Sequence, residues 1–136
     1  MRTIQGYLTF NGSCKSAMEF YRSCLGGELE IQKIGESPLA DKMPESMKDL
    51  VLHATLSNGS LQLMASDMVP ESGLLIGNNV SLILNCSDEE EIKIVYEKLS
   101  EGGKKDHPLE ISFWGALFGD LTDKFGNHWL LHCNNN

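Results

Sequence analysis

The sequence predicts an α+β domain of two βαβββ modules, whose strands form a mixed, cleft-bearing sheet with the helices on its outer face. Three observations predict it. A strand, a helix and three further strands can be read in that order twice, once in residues 1–66 and again in residues 78–134. Both helices stop at a glycine pair, Gly26-Gly27 and Gly102-Gly103. One helix per module covers only one face of its strands, so the opposite faces are left to line a cleft. Residues 1–136 therefore read as a single domain of two modules.

The first module opens on TIQGYLTF. Ile4, Leu8 and Phe10 alternate with Gln5, Tyr7 and Thr9, the period of a strand with one apolar side. Ser13 stands in the N-cap position of a helix whose apolar stripe is Cys14, Ala17, Met18, Tyr21 and Leu25. ELEIQKI is the next strand. Residues 35–49 form a long polar loop with Pro38 and Pro44, either a lid over the cleft or a surface excursion. LVLHATL and SLQLMAS are strands joined by a hairpin at Asn58-Gly59.

The second module repeats the pattern. In NNVSLILNC, Val80, Leu82, Leu84 and Cys86 alternate with Ser81, Ile83 and Asn85. SDEE reads as a capping box from Ser87 to Glu90, and Ile92, Val95, Tyr96 and Leu99 continue at helical spacing. The acidic run is a helix start favoured by the dipole. KKDHPLEI is a weaker strand or a loop. FWGALFGDLT and NHWLLHC are strands joined by DKFG, where Asp123 bonds the turn's own backbone and Gly126 takes positive φ. Trp129 falls on the core face of the last strand.

Composition narrows the function classes. With 136 residues, 41% of them hydrophobic and 22% charged, the chain is long enough for one globular core. A net charge of −8 repels phosphate backbones and argues against nucleic-acid binding. No apolar run reaches the roughly 20 residues of a membrane span, and the first ten residues lack the apolar core of a signal peptide. Cys14, Cys24, Cys86 and Cys133 form no C-x-x-C motif and read as free thiols of a cytoplasmic protein.

YLTFNGSCKSAMEFY, GGELE, LHATL and FWGALFGDLTDKFGNHWLL together resemble the vicinal oxygen chelate superfamily of glyoxalase I, bleomycin resistance proteins and extradiol dioxygenases. Within it they resemble the PhnB-like group, also labelled 3-demethylubiquinone methyltransferase-like. The chain has no glycine-rich nucleotide loop after a first strand, as a Rossmann-type methyltransferase would need. The resemblance implies that a divalent metal, where present, is held by His and Glu on the first, fourth, fifth and eighth strands. The matching positions are Gln5, Gln62, Ser81 and Leu130, none of them a good ligand, so the expectation is no metal and no other cofactor. His128 and His132 do not rescue the site. On a strand they lie roughly 13 Å apart, at about 3.3 Å per residue, too far to share one ion. They read as solvated or cleft-rim histidines.

The faces turned from the helices give the cleft: Gln5, Tyr7, Thr9, His53, Thr55, Gln62, Met64, Ser81, Ile83, Asn85 and Leu130, closed by Trp114 and Phe118. Such a polar and aromatic lining suits a small molecule held by orientation and hydrogen bonds. It has no Arg or Lys cluster for a phosphonate dianion. The expected function is small-molecule binding in a metal-free cleft. The alternative is a lyase, isomerase or dioxygenase-type enzyme, with or without a divalent metal, in which His53 is the catalytic base. Open sheet edges, and the habit of the superfamily, imply a homodimer.

Overall fold

The structure is a computed structural model and describes residues 2–134. The chain divides into two compact units, Met1–Leu75 and Ile76–Asn136. In the first, β1 (Gly6–Thr9) leads through α1 (Cys14–Leu25) to β2 (Glu28–Lys33), β3 (Val51–Asn58) and β4 (Leu61–Ser66). The strands form a sheet ordered β1-β4-β3-β2, with β1 parallel to β4 and the other pairs antiparallel. The second unit repeats this with β5 (Leu82–Cys86), α2 (Glu89–Ser100), β6 (Lys104–Ile111), β7 (Leu117–Thr122) and β8 (His128–Cys133). Its order is β5-β8-β7-β6, with β5 parallel to β8. The expected mixed sheet thus comes as two four-stranded sheets of identical topology, each with one helix.

Each unit builds its own core from the predicted stripes. Cys14, Ala17, Met18 and Tyr21 of α1 are buried, as are Ala54, Leu56, Leu63 and Ala65 of the strands beneath. Ile92, Val95, Tyr96 and Leu99 of α2 are buried with Leu117, Leu121, Trp129 and Leu131. Alternation in the strands sends one set of side chains into this layer and leaves the other open.

The repeated glycine pair has a physical cause. Gly26 and Gly102 take φ of 74° and 75°, a left-handed conformation that other residues rarely adopt. Gly27 and Gly103 lie hard against a strand. A Cβ on Gly27 would sit 2.4 Å from the Ser57 carbonyl of β3, and one on Gly103 2.3 Å from the Thr122 carbonyl of β7. The first glycine of each pair turns the chain and the second lets it run against the sheet.

The helix starts depart from expectation. Ser13 occupies the N-cap of α1 but its side chain caps nothing. Buried Asp67, just beyond β4, accepts from the Gly12 and Cys14 N–H groups through Oδ1 at 2.9 and 3.0 Å, and from the Val51 N–H through Oδ2 at 2.9 Å. A residue distant in sequence thus performs the local cap. The N-cap of α2 is Asp88, not Ser87: Asp88 Oδ1 accepts from the Glu91 N–H at 2.8 Å, and Ser87 bonds the Glu91 carboxylate. The expected capping box does not form: the cap falls one residue later, on the charged Asp88, which suits the positive end of the helix dipole, and the Glu91 side chain bonds Ser87.

Strand boundaries are also tighter than the alternation suggests. Ile4 and Gln5 precede β1, and Val80 and Ser81 precede β5; Ile4 and Val80 are exposed rather than in the apolar layer. Trp114 lies in a turn between β6 and β7, not in a strand, because Gly115 at φ 89° reverses the chain there. KKDHPLEI is a strand, β6, paired with β7. The 35–49 loop contains short 3-10 turns at 40–42 and 45–47, and a third at 34–36 leads into it from the fully buried Ile34.

Candidate functional site

The predicted cleft residues lie on the open faces of the two sheets. In the first unit the β1–β4–β3 register aligns Tyr7, Met64 and Thr55 in one row, and adds Glu30 of β2 at its end. His53 is exposed, pairs with Gln32 across β3–β2, and its ring centroid lies 6.3 Å from that of Tyr7. Among the described residues, no side-chain hydrogen bond holds His53. Thr9 ends β1 half-buried, and Gln5 donates to Gln62 through their side-chain amides.

The open face of the second unit holds a connected polar network. Rows run Ile83, Leu130, Asp120, His107 and Asn85, His132, Phe118, Glu110 across β5–β8–β7–β6. Ser81 Oγ lies 2.5 Å from His128 Nδ1. The other ring nitrogen of His128, Nε2, lies 3.3 Å from Asp120 Oδ2 and 3.7 Å from Asp106 Oδ2. Asp120 Oδ1 is 2.7 Å from His107 Nδ1, and Thr122 Oγ1 donates to Asp106 Oδ2 at 2.7 Å. The Trp114 ring lies 5.8 Å from Phe118 and 4.7 Å from Phe113.

His128 is therefore not a solvated histidine. Its side chain is 25% exposed, bonded to Ser81 at Nδ1, with the Asp120 and Asp106 carboxylates near Nε2. The register also moves the position matched to the eighth strand. Gln62 meets Gln5 just before the Gly6–Leu63 pair, and His128 meets Ser81 just before the Leu82–Trp129 pair. The counterpart of Gln62 is thus His128, two residues before the expected Leu130. The four matched positions are two pairs, Gln5 with Gln62 and Ser81 with His128, each joined by its own hydrogen bond. His128 and His132 do lie in one strand, β8, on one face and four residues apart. Asp123 and Gly126 behave as expected: Asp123 Oδ1 accepts from the Phe125 and Asn127 N–H groups, its Oδ2 accepts from Trp129 Nε1, and Gly126 has φ 92°.

Sequence reasoning missed Asp106, His107 and Asp120. β6 carries register shifts between Lys104 and His107 and between His107 and Glu110, so strict alternation fails there. Pro108 inside the segment was the available signal, since proline in a strand marks an edge or a bulge.

Two βαβββ units, each with one helix and an open face, define a glyoxalase/bleomycin resistance/dioxygenase-type fold. A member of that superfamily from Sphaerobacter thermophilus matches it with a TM-score of 0.61 over 98% of this chain and 99% of its own, at 22% identity. More specifically, the chain belongs to the 3-demethylubiquinone-9 3-methyltransferase family, whose model matches residues 2–132. It is similar to protein PA1353 from Pseudomonas aeruginosa, with 38% identity, a TM-score of 0.87 and 98% of each chain covered. The PhnB protein from Bacillus cereus is 28% identical, with a TM-score of 0.74 over 97% of this chain and 99% of its own. Protein YjdN of Escherichia coli (strain K12) is 33% identical over 95% of this chain and 93% of its own length.

Proposed function

We propose that this protein binds a small organic molecule on its open sheet faces, without a divalent ion at the four matched strand positions. The observation that carries the reading is the pairing of those positions. Two amides and a hydroxyl are poor ligands for a catalytic divalent ion, and one imidazole cannot hold it alone. Here their polar atoms are spent on each other, Gln5 on Gln62 and Ser81 on His128. In the first unit Tyr7 and Met64 offer apolar and aromatic contact with Thr55 as a polar anchor; in the second, Ile83, Leu130, Phe118 and Trp114 do so, with Asn85 and the His128 network as anchors. Turnover at His53, the enzymatic alternative, finds less support. A general base is oriented by a hydrogen-bonding partner, and among the described residues no side-chain hydrogen bond orients His53, whose ring lies 6.3 Å from that of Tyr7.

Two further readings belong to this proposal. The protein acts in the cytoplasm, a reading supported by cysteines that form no C-x-x-C motif. It also works as a homodimer, a reading supported by exposed apolar side chains and open sheet edges. Among the described residues no helix is long and apolar enough to cross a membrane.

Native mass spectrometry of gently purified protein tests the binding reading. The expected spectrum is a metal-free species carrying an organic adduct. One divalent ion per chain contradicts the reading and turns attention to the residues that hold it.

A further inference from the structure

The second unit joins a hydroxyl, an imidazole and a carboxylate in series. Ser81 Oγ is 2.5 Å from His128 Nδ1, and His128 Nε2 is 3.3 Å from Asp120 Oδ2. The Asp120 carboxylate 3.3 Å from Nε2 favours a proton on that nitrogen by its charge, which leaves Nδ1 as an acceptor for the hydroxyl. Asp120 is itself fixed by His107 at 2.7 Å, and its side chain is only 14% exposed. Backbone pairing sets the arrangement. Leu82 pairs with Trp129, which brings Ser81 level with His128, and Asp120 pairs with Leu130, one same-face step along β8 from His128. Ser81 is half-buried rather than sealed, so a small substrate has access to it.

We propose that Ser81 is a nucleophile with His128 as its general base and Asp120 as the positioning residue, and that the substrates are carboxylic esters with a good leaving group. In the first step the Ser81 hydroxyl proton passes to His128 Nδ1 while Oγ bonds to the acyl carbon. The ester C–O bond then breaks, the aryl oxide leaves with the electron pair, and the proton on His128 passes to it or to solvent, so that the imidazole is neutral again. In the second step water attacks the acyl-serine and His128 takes the water proton; as the acyl C–Oγ bond breaks, His128 returns that proton to Ser81 Oγ and the acid is released. The relay supplies base and orientation. Aryl esters are the substrate class because their attack needs the least stabilisation of the oxyanion.

The proposal takes this open face as the ligand face and so rests on the reading above, but its test is separate. The full-length protein is incubated with p-nitrophenyl acetate near neutral pH, and p-nitrophenolate release and intact mass are followed together. The expected result is one acetyl group per chain, mapped to Ser81. It disappears in Ser81→Ala and forms at least about tenfold more slowly in His128→Gln. Asp120→Asn slows acetylation and changes its pH profile, and Asp120→Glu restores part of the rate. Ser81→Cys guards against a folding artefact: its thiol is alkylated by iodoacetamide faster than the same thiol in a Ser81→Cys, His128→Gln double variant. No acetyl-enzyme, an acetyl group on another residue, or an unchanged rate in Ser81→Ala overturns the proposal. Failure of acetylation in protein that retains an organic adduct overturns this inference alone and leaves the binding reading standing.

Discussion

At the scale of single residues, buried charge and buried thiols set how this protein responds to pH and substitution. Burial, with the nearby Asp67 charge, pushes the Cys14 thiol up from 9.0 to about 12. Burial, with Glu91 next in effect, pushes Cys86 up from 9.0 to about 12 as well. Burial also raises the Tyr96 phenol, followed by the charge of Asp120. All three groups are held neutral by the fold. Their stabilisation is therefore complete below the unfolded values and is lost as pH rises through the folded ones. Urea midpoints should fall as pH climbs from about 9 toward 12, and Cys14→Ala should flatten that fall. Below pH 9 neither thiol should react with a thiol reagent until the protein is unfolded. Asp67 gives a second residue-scale prediction. It satisfies three backbone donors, from Gly12, Cys14 and Val51. Asp67→Ala leaves all three N–H groups without this acceptor and should cost about 3 kcal/mol or more in urea unfolding, with Asp67→Asn in between. The sequence did not point to Asp67. Its three donors come from other parts of the first unit, and no local pattern marks a cap supplied from 53 residues away.

At the scale of elements, the duplicated βαβββ order was legible because periodicity and glycine punctuation are local signals. The α1 stripe of Cys14, Ala17, Met18 and Tyr21 is buried as its spacing requires, and Trp129, Leu131 and Cys133 alternate inward along β8. The site was less legible. Ser81 was placed on an open face from alternation, but its partner depends on the β5–β8 register, which no single strand encodes. Asp106 and His107 come together because β6 breaks its register beside Pro108, and a broken strand offers no period to read. The glycine pairs make the element-scale prediction. Gly27→Ala and Gly103→Ala place a Cβ within 2.4 Å and 2.3 Å of a strand carbonyl, so backbone has to move. Each should destabilise by about 3 kcal/mol. Gly115 also has positive φ, 89°, but open space around its Cβ position. Gly115→Ala should carry only the conformational cost of about 1 kcal/mol. Equal losses at all three positions in chemical denaturation would mean that close approach to the strand is not what selects the second glycine of each pair.

At the scale of the whole molecule, apolar surface is the feature that the single chain leaves unexplained. Phe113 is 98% exposed and Ile4 fully so, and Leu75 and Val80 are exposed as well. Single exposed apolar residues are ordinary, but Phe113 meets Trp114 edge-to-face and extends the aromatic row ending in Phe118, which makes a continuous surface. Each sheet also keeps two edges, β1 and β2 in one and β5 and β6 in the other. A net charge of −8 opposes indiscriminate association, so a partner has to match this surface specifically, and the proposed partner is a second copy of the chain. Sedimentation equilibrium at micromolar concentration should therefore return twice the chain mass. Phe113→Ser and Val80→Asp should each weaken the dimer. Neither position is in a core, so neither change should lower the stability of a unit by more than about 0.5 kcal/mol. A wild-type monomer at that concentration would remove the dimer from the functional reading. Open-face binding would then have to be explained by the surfaces of one chain.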